Sequence, residues 1–215
     1  MVVEAKICGL TRPEDAAIAA AHGAWRLGVI FAGGPRLVGI GQAAEIDSAA
    51  AGVPVLGVFG TEPLETMLET IATAGLAGAQ LHGEQPESVA VALRDRGLEV
   101  WRVVAVSADR EPAAELARAA SAADALLIEA RVPGGSGGKG VAIALDVARS
   151  ARLAAPRIPF VLAGGLTADS VAAAIRAVEP DAVDVSSGIE KSAGIKDHAR
   201  LARFLETVFA ARTAA

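Results

Sequence analysis

Tyrosine is missing from this 215-residue chain, aromatic residues reach only 3%, and cysteine occurs once. A single cysteine excludes an internal disulfide and fits a reducing compartment. With 20 basic against 25 acidic residues and a net charge of −5, the basic excess of a nucleic-acid binder is lacking as well. Charges, glycine or proline interrupt every apolar stretch before the roughly 18 residues that read as a membrane span, so no transmembrane helix is expected. The opening MVVEAKICGL has no basic stretch leading into an apolar one, so no secretory signal is expected. The histidines, His22, His82 and His198, are scattered, and nothing has the ligand spacing of a metal site. The expectation is a cytoplasmic globular protein without metal, nucleic acid or membrane among its partners.

What the chain does have is 53% apolar residues, about a quarter alanine, and 23 glycines. That composition can fill a core with small and branched side chains. Short Val/Ile/Leu-rich runs alternate with Ala-rich amphipathic stretches throughout. Strands are expected over Val3–Cys8, Trp25–Phe31, Val53–Phe59, Gly78–Leu81, Glu99–Val106, Ala125–Glu129, Pro159–Leu162 and Ala182–Val185. Several are near-continuous apolar runs, as parallel strands buried on both faces require. Helical patterns separate them, beginning at Pro13, Gly41, Pro63, Pro86, Pro112, Leu145, Ala168 and Asp197. Thr11 and Thr61 precede a proline as candidate helix caps. Strands recur about every 25 residues, and no linker or charge run divides the chain. Eight such units predict one (β/α)8 barrel domain over residues 1–215, with a doubly wound open sheet as the alternative.

A barrel of this kind carries its chemistry just beyond the strand ends. The unusual residues fall there. Cys8-Gly-Leu-Thr follows the first strand, Gly33-Gly-Pro-Arg36 the second, and His82-Gly-Glu the fourth. Glu129 ends the sixth strand, ahead of the glycine-rich Pro133–Lys139 segment. Ala163-Gly164-Gly165-Leu166 follows the seventh strand, and Ser186-Ser187-Gly188 follows the eighth. Glycine turns at these two adjacent strand ends suit a phosphate held by backbone N–H groups and serine hydroxyls. Cys8 is by residue type a small buried hydrophobe, but its position at a strand end aims it into the barrel mouth. With Glu129 across that mouth, a thiolate and a carboxylic acid make a base–acid pair. Arg36 can fork onto a carboxylate; Gln80, His82 and Asp184 are further candidate substrate contacts.

Two familiar motifs fail. Gly134–Gly140 is not a phosphate-binding P-loop, because Pro133 stands where the leading glycine belongs and Gly140 where serine or threonine belongs. The segment instead suits a mobile loop folding over a ligand, and composition alone fits a merely flexible connection as well. Gly39-Ile-Gly41-Gln-Ala-Ala44 follows no convincing strand, so it is not a dinucleotide turn.

The segment Lys6-Ile-Cys-Gly-Leu-Thr-Arg-Pro-Glu-Asp-Ala16 closely resembles the opening of the phosphoribosylanthranilate isomerase family. The resemblance continues in order through Gly28–Phe31, Pro35-Arg36, Gln80–Glu84, Pro133–Gly137, Ala163–Leu166, Asp184–Glu190 and Gly194–Asp197. It implies a ribulose-phosphate-binding (β/α)8 barrel of tryptophan biosynthesis, catalysing an Amadori rearrangement with no cofactor or metal; a monomer is expected. The resemblance further implies Cys8 as general base, Arg36 on the anthranilate carboxylate, and Gly164, Gly165, Ser186 and Ser187 on the phosphate. The chain departs from the family pattern at three places. Glu129 stands for the general-acid Asp, Gly140-Val-Ala142 for Phe-Asp-Trp, and Trp25 for an Asp. The aldose–ketose isomerase of histidine synthesis, which uses an Asp after the first strand, and a barrel that binds phosphorylated ligands without turnover are the competing readings.

Overall fold

The computed structural model describes residues 3–109, 112–131 and 141–213. Eight parallel strands close into a barrel: β1 (Glu4–Ile7), β2 (Arg26–Ile30), β3 (Val55–Phe59), β4 (Gly78–Leu81), β5 (Glu99–Val106), β6 (Ala125–Ala130), β7 (Phe160–Leu162) and β8 (Ala182–Val185). The ring closes where β1 pairs with β8, in the register Ala5↔Val183, Lys6↔Asp184 and Ile7↔Val185. Between and after the strands run α1 (Pro13–Ala21), α2 (Ile40–Ala49), α3 (Leu64–Ala74), α4 (Glu87–Arg94), α5 (Ala113–Ala120), α6 (Leu145–Ala154), α7 (Val171–Val178) and α8 (His198–Thr213). The expected order of elements holds throughout.

Alternation along each strand divides the apolar residues into two cores. Outward residues such as Ile7, Val29, Val100 and Val183 pack under the helices, where alanines at 16, 19, 43, 90, 148 and 174 admit close approach. Inward residues form a separate, smaller cluster of Leu56, Trp101, Ala125, Leu127, Val161, Ala163 and Ala182. Trp101 is fully buried and is the one aromatic among the buried members of that interior cluster. Burying an aromatic of this size removes about 200 Å² from water, on the order of 5 kcal/mol. Its ring tilts against Trp25 with centroids 5.7 Å apart, and its Nε1 donates to Glu99 Oε1 at 2.7 Å. Arg26 Nε donates to both oxygens of the same carboxylate. Scarce aromatics therefore suffice: Trp101, with Trp25 packed against it, anchors the interior cluster.

Three local expectations need correcting. Thr11 does not cap α1; Arg12 holds that position, Pro13 opens the helix, and the Thr11 hydroxyl donates to Gly194 O at 2.5 Å. Likewise Pro63, rather than Thr61, occupies the cap of α3. Helix α7 begins at Val171 instead of Ala168, because Ser170 Oγ accepts from Thr167 N in a tight turn before it. One element escapes the sequence pattern. After β8 a short 3₁₀ helix, Ser187–Ile189, leads into the antiparallel hairpin β9 (Glu190–Ser192) and β10 (Ile195–Lys196).

Candidate active site

A cavity of about 620 Å³ opens at the C-terminal ends of the strands. All the residues singled out from sequence border it: Cys8, Arg36, Gln80, His82, Glu129, Gly164, Gly165, Asp184, Ser186, Ser187 and Gly188. The Pro133–Lys139 segment, expected as a loop over the ligand, lies outside the described residues.

The cavity has three chemically distinct parts. Around Cys8 sits a buried charge pair. Lys6, fully buried one pleat below, donates from Nζ to Asp184 Oδ1 at 2.6 Å. A Cβ built on Gly28 would meet Cys8 Sγ at 3.0 Å and Lys6 Nζ at 3.1 Å, so thiol and ammonium share one small space beside β2. Burial pushes the Cys8 thiol up; Lys6 pulls it back, Asp184 opposes Lys6, and the net direction is upward. Burial pulls the Lys6 ammonium down, but Asp184 and Cys8 outweigh it and hold Lys6 charged.

Across the mouth, Glu129 is 7% exposed at the end of β6. His82 Nε2 approaches its Oε1 to 3.1 Å, an ion-pair distance without hydrogen-bond alignment. Gln80, on the neighbouring inward position of β4, buries an Oε1 that has no partner among the described residues. Such an atom is costly to leave unmatched.

The third part is the pair of turns after β7 and β8. Gly164 and Gly165 have φ of +99° and +63°, a left-handed backbone open to glycine at little cost. Gly188 lies so close to the first turn that a Cβ there would stand 1.9 Å from Leu166 O. The 3₁₀ helix starts at Ser187, and both Ser187 and Gly188 border the cavity.

Arg36 borders the cavity while holding a partner of its own. Its Nε and Nη2 donate to Glu190 Oε1 and Oε2 at 2.8 and 2.7 Å, leaving only part of its fork for a ligand. Glu190 in turn accepts from Lys196 Nζ at 2.9 Å, and Lys196 also bonds Cys8 O at 2.6 Å and Ser186 O at 3.2 Å. Sequence reasoning missed Glu190 and Lys196, since nothing periodic marks charges beside a glycine turn as buried. Among the described residues no group of three or more His, Cys, Asp or Glu could hold a metal ion. Among them, too, no helix is long and apolar enough to cross a membrane.

Fold and cavity together define a (β/α)8 barrel enzyme whose polar residues gather at the C-terminal mouth. The family model described as N-(5'phosphoribosyl)anthranilate (PRA) isomerase matches residues 5–207. The chain belongs to that family. It is 40% identical to the N-(5'-phosphoribosyl)anthranilate isomerase of Rhodospirillum centenum, over 95% of this chain and 97% of the relative. It is 37% identical to that of Pelobacter propionicus, over 95% and 94%. The crystal structure of the Thermus thermophilus isomerase superposes with a TM-score of 0.86 at 33% identity, covering 98% of this chain and 100% of that one. A phosphoribosylanthranilate isomerase in complex with reduced 1-(o-carboxyphenylamino)-1-deoxyribulose 5-phosphate gives 0.83 at 29% identity, covering 96% and 98%.

Proposed function

We infer that this chain is the isomerase that converts N-(5-phosphoribosyl)anthranilate to 1-(2-carboxyphenylamino)-1-deoxyribulose 5-phosphate in tryptophan biosynthesis. The observation that carries the reading is the cavity itself, which gathers a thiol, a carboxyl group across from it, an arginine and two glycine turns. The residue roles are our own proposal, as are phosphate binding at these turns, a cytoplasmic location, a monomer, and residues 1–215 acting as one domain.

Glu129 donates a proton to the furanose ring oxygen, the bond from C1 to that oxygen breaks, and an iminium forms between C1 and the anthranilate nitrogen. Cys8, as thiolate, takes the proton from C2; the electrons of that C–H bond form C1=C2 and neutralise the iminium. The enol hydroxyl at C2 then loses its proton as C1 gains one, leaving a ketone at C2 and an amine at C1. C1 is reduced as C2 is oxidised, so the reaction balances without a cofactor. Burial holds the Cys8 thiol above its ordinary value, so the thiolate needs a compensating cation. The iminium is such a cation, and it couples proton abstraction to ring opening. Arg36 holds the anthranilate carboxylate, Gln80, His82 and Asp184 contact the substrate, and Gly164, Gly165, Ser186, Ser187 and Gly188 hold the phosphate.

The test is turnover of phosphoribosylanthranilate, followed by loss of its anthranilate fluorescence, with the histidine-pathway aminoaldose as second substrate. Cys8→Ala is expected to lower kcat roughly 100-fold or more with a smaller effect on KM. Unchanged turnover removes Cys8 from the mechanism.

A further inference from the structure

Glu190 and Lys196 sit on the β9–β10 hairpin, and neither borders the cavity. Both are buried, at 7% and 1% exposure. Burying two ions is costly unless each is fully engaged. Here each is: both oxygens of Glu190 accept from Arg36, one also from Lys196, and Lys196 spends its other donors on the carbonyls of Cys8 and Ser186. Arg36 is the only member of the trio at the cavity wall.

Two consequences follow from this arrangement. A guanidinium gripped through Nε and one Nη2 hydrogen has a single planar orientation. The grip leaves Nη1 and the second Nη2 hydrogen as a parallel pair that matches another carboxylate. The second consequence concerns charge. Arg36 and Glu190 alone would form a neutral pair with little attraction for an anion. Lys196 brings the trio to a net charge of +1, restoring that attraction.

We propose that Glu190, with Lys196 behind it, is a positioning residue that presents the free edge of Arg36 to a carboxylate on the aromatic ring of the substrate. The inference rests on the reading of Arg36 given above and deepens it. Because Lys196 also ties down the carbonyls of Cys8 and Ser186, one hairpin fixes the carboxylate contact relative to the base and to the turn after β8.

The experiment titrates the full chain and its Glu190→Gln variant with two ligands differing in one group. One is reduced 1-(2-carboxyphenylamino)-1-deoxyribulose 5-phosphate; the other is the same compound without its ring carboxyl. Glu190→Gln leaves Arg36 and Lys196 with a net charge of +2, which by itself favours an anion, so any loss reads orientation: the carboxylate-bearing ligand is expected to weaken roughly tenfold or more and the other by less than about threefold. KM for the substrate should rise more than kcat falls. Glu190→Asp keeps the charge and should fall between; if Glu190→Gln does not fold, it carries the same comparison. Equal weakening of both ligands, or no weakening of either, overturns the proposal. If the unmodified protein does not discriminate between the two ligands, the reading of Arg36 itself falls. If it discriminates and the variant does so equally well, Arg36 keeps its role and only Glu190 loses its own.

Discussion

Lys6 and Asp184 are register partners across the β1–β8 seam, and their side chains meet inside the barrel at 2.6 Å. The pair closes the ring and sits beneath the Cys8 thiol, so one contact belongs to both fold and site.

Removing one ion should therefore cost stability and activity together. Lys6→Met leaves a buried carboxylate unpaired, a loss of about 3 kcal/mol in denaturant unfolding. The double variant Lys6→Met/Asp184→Asn should recover much of that stability, since neither ion is then left alone. Loss of the cation beside Cys8 also raises the thiol further, so the limb of the kcat profile that reports thiol ionisation should move to higher pH in Lys6→Met. An unmoved limb would show that Lys6 is purely structural.

Glu129 carries one methylene more than the Asp expected at the end of β6. Glu129→Gln, nearly isosteric but unable to donate an acidic proton, should lose roughly 100-fold or more in kcat. Glu129→Asp should retain substantial activity. Steady-state kinetics on the fluorescent substrate measures both, and parental turnover by Glu129→Gln would place the acid elsewhere.

Gly188→Ala puts a methyl where Leu166 O already lies, 1.9 Å away, so the turns after β7 and β8 must separate. The expected result is a KM raised by roughly tenfold or more and weakened inhibition by inorganic phosphate, with a smaller change in kcat. Phosphate inhibition at the parental level would remove these turns from the phosphate site.

Acid should weaken the fold through its buried carboxylates. Burial pushes Asp15 and Glu190 up, but Arg12 and His198 on the first, and Arg36 and Lys196 on the second, hold both below their ordinary values of 3.8 and 4.5. A carboxyl lowered by folding contributes stability that is whole above its unfolded value and is lost as pH falls through the folded one. Denaturation midpoints should thus be insensitive to these two groups above about pH 5 and decline at lower pH. Glu190→Gln should flatten part of that decline, and a midpoint that falls equally steeply in both proteins would remove Glu190 from it.

Much of the site was legible because strand ends can be located from local pattern. Cys8, Gln80, Glu129 and Asp184 are inward positions of β-rich runs whose ends were found within about two residues, and barrel geometry sends such positions to one mouth. What Arg36 touches was not legible, because Glu190 is 154 residues away in sequence. The Thr11 cap failed for a similar reason: Gly194 O offered its hydroxyl a tertiary partner instead of a backbone N–H of α1.

The eight strand–helix units, their order, and the glycine turns that end β7 and β8 were all legible along the chain. Each depends on side-chain periodicity or on glycine at a turn, interactions within a few residues of one another. Which charges go inside the ring and where the β9–β10 hairpin lies depend on contacts between distant segments. Lys6, Glu190 and Lys196 would read as surface residues anywhere along an isolated chain. They are buried because distant partners satisfy them, and a low-dielectric interior tolerates an ion only when its partner is already in place.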